Sequence, residues 1–215
     1  MGIKNLKECA VSLALAAAFW PSFAGAAAAE SVQTIVFIRH AEKPAQGLGM
    51  LNCQGLNRAL ALPAVLLAKF GKFDAVFAPD PHEKKPDGED SQLYNYLRPL
   101  LTVAPLAAQL GLPINTAFGY ADSAGLQQEL ALPKYHNAVL LVGWEHHQLE
   151  GIVKSMLSQM GGQAGDVPDW KSRDFDSIYI LTVHRSGAVM RADFALARQR
   201  LDGQSMTCPG PSRVN

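Results

Sequence analysis

The segment from Val32 to Ile38 constrains the fold most, because it is β-branched and apolar on both faces and ends abruptly in the charged run Arg39-His40-Ala41-Glu42. A strand reading this way is buried on both sides, as in a parallel sheet covered by helices, whereas a half-exposed strand alternates apolar with polar residues. The next segments of the chain fit that setting. Leu56, Leu60, Ala64, Leu67 and Ala68 recur at helical spacing before Gly71, and residues 73–78 read as a second short strand. Residues 79–91 are polar, with two proline-containing turns and mixed charge, and read as a long surface loop. A helix is expected from Gln92 to Gln109, a short strand over residues 113–117, and another helix over 123–132.

Residues 138–144 form the most apolar uninterrupted stretch after the first thirty residues and read as a central strand, followed by a helix from Gln148 to Met160. Residues 177–183 and 188–194, separated by Arg185-Ser186-Gly187, read as a closing hairpin. This alternation predicts an α/β fold: a three-layer αβα sandwich with a mainly parallel central sheet and an antiparallel element near the C-terminus.

The first residues address the compartment. Lys4 and Lys7 precede an apolar stretch from Val11 to Trp20 and a small-residue segment from Pro21 to Ala29, the pattern of a signal peptide. The apolar stretch is shorter than the roughly 20 residues that span a bilayer. Residues 1–29 are therefore expected to be removed, leaving no stable membrane span, and residues 30–215 to form one catalytic domain in the periplasm or outside the cell. Beyond the signal segment Cys53 and Cys208 remain, which an oxidising compartment permits to pair or leaves as two thiols. With 48% hydrophobic residues in 215 the chain can bury a substantial core, and its formal net charge of zero offers no broad basic field for nucleic acid. The chemistry belongs in a pocket.

In sheets of this kind ligands bind beyond the carboxyl ends of the strands. There the first strand presents Arg39-His40 and the later one presents Glu145-His146-His147. A neutral imidazole can attack phosphorus, and a neighbouring guanidinium can grip phosphate oxygens at two points. Glu145 with His146 and His147 could alternatively ligate zinc, although the helical zinc-protease spacing is missing.

Arg39-His40-Ala41-Glu42-Lys43-Pro44 resembles the Arg-His-Gly/Ala-Glu signature of the histidine phosphatase superfamily, the phosphoglycerate-mutase-like enzymes. Leu56-Asn57-Arg58-Ala59 resembles that family's first helix, residues 97–107 its arginine-bearing helix, and residues 139–146 the strand with its second histidine. The resemblance implies that His40 becomes phosphorylated, that Arg39 and Arg98 bind the phosphoryl group, and that His146, or His147 in the alternative register, completes the clamp. It implies no metal or other cofactor. The acid that protonates the leaving group is open among Glu145, Asp80 and Asp122; Glu42 and Lys43 are assigned no chemical step. The expected activity is hydrolysis of a small phosphate monoester. The alternatives are a phosphomutase and a phosphate-ester binding protein without turnover.

Overall fold

The computed structural model describes residues 1–2, 30–89 and 91–210, so the export signal read from the sequence lies outside the described residues. Among the described residues no helix is long and apolar enough to cross a membrane. The elements run in the order β1 (Ser31–Arg39), α1 (Cys53–Phe70), β2 (Ala75–Phe77), β3 (Lys84–Asp87), β4 (Gln92–Asn95), α2 (Arg98–Leu110) and β5 (Ile114–Asn115). They continue with α3 (Ser123–Leu130), β6 (Val139–Trp144), α4 (His146–Gln159), β7 (Ser177–Ser186) and β8 (Val189–Arg198).

Six strands form the main sheet in the order β5-β2-β6-β1-β7-β8. The pairs β5 with β2, β2 with β6 and β6 with β1 are parallel, while β7 runs antiparallel to β1 and β8 returns along β7. Alternate side chains of β1 explain its unbroken apolar run, since successive residues point to opposite faces. Ile35 and Phe37 enter one core with residues of α3 and α4 such as Leu126, Leu149 and Ile152. Val36 and Ile38 enter the other with Leu62 and Leu66 of α1 and Val103 and Leu106 of α2. The three-layer arrangement expected from the sequence is present.

One expectation is corrected. The helix predicted from Gln92 begins only at Arg98, and residues 92–95 form β4, paired in a separate two-stranded sheet with β3, which lies inside what read as a loop. The reason lies in the start of α2. Pro99 occupies its first turn, where a missing N–H costs nothing, and the amides of Leu97 and Arg98 both donate to Gly49 O at 3.1 and 3.0 Å. Those bonds fix the helix origin, so the preceding residues are free to extend as strand.

Cys53 and Cys208 are joined in a disulfide, which ties the chain's last described segment to the start of α1. Asn57 Nδ2 reinforces the attachment by donating to Ser205 O and Thr207 O at 2.9 and 2.8 Å. A buried charge network lies nearby. Arg58, 1% exposed, donates to Glu42 through Nε and Nη2, to Gln199 Oε1 at 3.0 Å and to Asp202 Oδ1 at 2.8 Å, and lies 3.4 Å from Asp176 Oδ1. It thereby joins α1, the loop after β1, and the segments flanking the terminal hairpin.

Candidate active site

The parallel register of β1 and β6 sets Arg39 opposite Trp144, and the His40 amide extends the ladder by donating to Trp144 O at 3.0 Å. Both strands therefore end together, delivering Arg39-His40 and Glu145-His146 to one edge. A third element arrives because Gly143 has no side chain. A Cβ there would lie 2.4 Å from Val103 Cγ1, so the glycine allows α2 to pack directly on β6 and sets Arg98 at the same edge. Thr102 secures the position: its hydroxyl oxygen accepts from the Ala41 amide at 2.9 Å and donates to Arg98 O at 2.8 Å.

His40 is 3% exposed, with Nδ1 2.8 Å from Ala41 O. A carbonyl only accepts, so Nδ1 carries the hydrogen and Nε2 retains its lone pair. Burial first, and then the positive charges of Arg98 and Arg39, hold the imidazole well below its ordinary pKa of 6.5. His40 is thus neutral at mildly acid pH, with a lone pair free on Nε2. Its ring signals in NMR are expected to show no titration between pH 6 and pH 7; a midpoint near 6.5 would contradict this environment.

Two buried arginines flank it. Arg39 Nη1 donates to Ser172 O at 2.6 Å and its guanidinium stacks 4.1 Å from the Phe175 ring centre, while burial pushes its pKa down to about 10. Arg98 pairs with Asp87 of β3 and lies 4.9 Å from the centre of the Tyr96 ring. The Tyr96 ring meets the His40 ring edge-on at 6.2 Å. Arg39 Nε, Arg98 Nε and the Tyr96 hydroxyl are buried without a hydrogen-bond partner among the described residues. Buried donors left unpaired are costly, and their grouping around His40 suits them to bind an anion.

Glu145 caps α4 by accepting from the Gln148 amide at 3.0 Å, and its Oε1 lies 2.7 Å from His146 Nδ1. Burial would raise its pKa, but the contacts with His146 and the Gln148 amide, aided by the charge of Lys85, hold it down at about 2. The resting carboxyl is therefore ionised. His146 is buried, and both its ring nitrogens lack a partner in hydrogen-bond geometry among the described residues.

The structure thus brings Arg39, His40, Arg98, Glu145 and His146 to one edge. His147 is exposed, its ring centre 4.0 Å from that of His146 with the two planes tilted by 35°. Glu145, His146 and His147 offer ligand atoms within 4.8 Å of one another, so the three could hold a metal ion, as the alternative sequence reading allows. The other two acid candidates are engaged elsewhere: Asp80 accepts from the His82 amide at 2.8 Å, and Asp122 caps α3 through the Gly125 amide at 2.9 Å. Sequence reading missed Lys85, Asp87, Tyr96, Thr102 and Phe175. The place of Tyr96 two residues before Arg98 was a local signal; the others depend on packing.

At the level of sequence no family model matches the chain, and no curated protein does. Solved structures do match. A mycobacterial hydrolase is 14% identical with a TM-score of 0.54, over 76% of this chain and 89% of that one. A mycobacterial glucosyl-3-phosphoglycerate phosphatase in complex with inorganic phosphate is 14% identical with a TM-score of 0.51, over 76% of this chain and 95% of that one. The native form of that phosphatase gives 12% identity and a TM-score of 0.51, over 76% and 97%. At such identities the likeness concerns the fold. The chain shares the α/β fold of these structures.

Proposed function

We propose that the protein is an exported phosphatase that hydrolyses small phosphate monoesters through a phosphohistidine on His40. One observation carries this reading: a buried imidazole whose Nδ1 faces a carbonyl, leaving a lone pair on Nε2, lies beside two buried arginines that each keep an unpaired Nε. Phosphoryl transfer needs in-line positioning and charge compensation more than elaborate bond chemistry. Arg39, Arg98 and His146 bind the phosphoryl oxygens, and His40 Nε2 attacks phosphorus as the ester P–O bond breaks. The leaving oxygen takes its proton from the Glu145–His146 pair. Glu145 rests ionised, and a phosphate dianion arriving beside it raises its affinity for a proton toward that role. Water then attacks phosphorus, giving its proton to the Glu145–His146 pair, the N–P bond breaks with its electrons returning to His40 Nε2, and inorganic phosphate leaves.

The disulfide supports export, since such bonds persist in oxidising compartments, and so does the signal-like start of the sequence. Purified protein lacking residues 1–29 and supplied with an aryl phosphate should release phosphate. In that assay His146→Ala is expected to lower turnover roughly 100-fold or more, and His147→Ala less than about threefold. Tight binding of the ester without turnover would instead favour a binding protein of the same fold.

A further inference from the structure

The β3–β4 hairpin pairs with no strand of the main sheet, yet one of its faces reaches the candidate site. Alternation along β3 puts Lys85 and Asp87 on that face and leaves Lys84 and Pro86 exposed. Asp87 is fully committed: it binds Arg98, accepts from Lys43 Nζ at 2.6 Å and accepts from the Gly49 amide at 3.2 Å. Lys85 is not. Its ammonium lies against two aromatic rings, 5.1 Å from the centre of Tyr96 and 4.5 Å from that of Tyr120, and among the described residues it pairs with no carboxylate.

The charges that Lys85 feels most belong to the site, with Glu145 first, then Arg98 and Asp87, and Lys43 beyond them. Burial lowers its pKa below the ordinary lysine value, which marks an ammonium partly stripped of water. His40 and Lys85 both contact the Tyr96 ring. The phosphoryl oxygens already have Arg39, Arg98 and His146 as partners, and in-line attack by His40 directs the leaving oxygen away from it. A cation beside Tyr96 and Tyr120 therefore meets the leaving part of the ester.

We propose that Lys85 is a specificity-determining residue that binds a second anionic group, borne by the alcohol portion of the substrate. This rests on the phosphatase reading and narrows it to phosphate monoesters whose alcohol carries a carboxylate or a further phosphate. Tyr96 and Tyr120 shield the ammonium from water, so a substrate anion there meets a less hydrated charge than a surface lysine offers.

Three esters test the idea: glycerol 3-phosphate, 3-phosphoglycerate, and propane-1,3-diol bisphosphate. The first has an uncharged end, the second a carboxylate, and the third a second phosphate. The wild-type protein is expected to favour at least one anionic ester over glycerol 3-phosphate by about tenfold in kcat/KM, as one charge-assisted contact gives. The favoured ester identifies the anion. Lys85→Met should erase that preference, chiefly through KM, over and above any change common to all three esters that follows from relieving Glu145, and Lys85→Arg, which keeps the charge, should restore part of it. Equal loss with all three esters in Lys85→Met would overturn the proposal, as would a wild type that shows no preference. If the wild type releases phosphate from none of them, the phosphatase reading fails, and equilibrium binding of the same esters then decides on Lys85 by the same criterion.

Discussion

Replacing His40 by alanine is expected to lower phosphate release by a factor on the order of 10⁴ to 10⁶, the loss typical when a covalent nucleophile is removed. The substitution leaves the anion cradle in place, because Arg39 is held by Ser172 O and Phe175, and Arg98 by Asp87 and Thr102. Binding of phosphate or vanadate should accordingly persist within about tenfold, while chemistry stops. That split separates loss of the nucleophile from collapse of the site. Turnover in His40→Ala within tenfold of wild type would mean that the reaction runs through another group.

Arg58→Met is expected to have the largest effect on stability. The guanidinium is the countercharge for two buried carboxylates, Glu42 and Asp176, at the junction of α1 with the loop after β1 and the start of β7. Removing one member of a buried ionic set leaves the others uncompensated in a poorly polarisable interior, which costs about 3–5 kcal/mol. The pair with Asp202 adds little, since that carboxylate is largely exposed. In a domain of this size the loss corresponds to a fall in Tm of about 10 °C. Thermal or urea unfolding checks it, and the double change Glu42→Leu with Arg58→Met should recover part of the loss by removing one stranded charge. A single-variant loss under about 1 kcal/mol would show that the network contributes little. Because Glu42 comes directly after His40-Ala41, the single variant should also disturb the site's geometry.

The parts of the site that were legible in the sequence are those carried by continuous apolar strands. Val32 to Ile38 and residues 138–144 read as buried strands on hydrophobicity alone, and the end of a strand places the residues just beyond it, so His40 and His146 fell at one edge. The hairpin was not legible. Lys84-Lys85-Pro86-Asp87 has no apolar alternation, and the hairpin is held in place in part by the contact of Asp87 with Arg98 and Lys43, which no local pattern encodes. The state of Glu145 was equally hidden, because its pKa of about 2 arises from contacts with His146, the Gln148 amide and Lys85 rather than from its place in the chain. Likewise the sequence allowed Cys53 and Cys208 to pair, but only their 4.5 Å Cα separation in the folded chain decides it.

The central claim is the covalent intermediate, and trapping it is the most direct measurement. Protein mixed with a phosphate ester, quenched in alkali to preserve the N–P bond and analysed by peptide mass spectrometry, should carry phosphate on His40 within the peptide containing Arg39-His40-Ala41-Glu42. The same treatment of His40→Ala should yield none. Phosphate on a different residue, or full turnover with His40 never labelled at any time point, would contradict the mechanism.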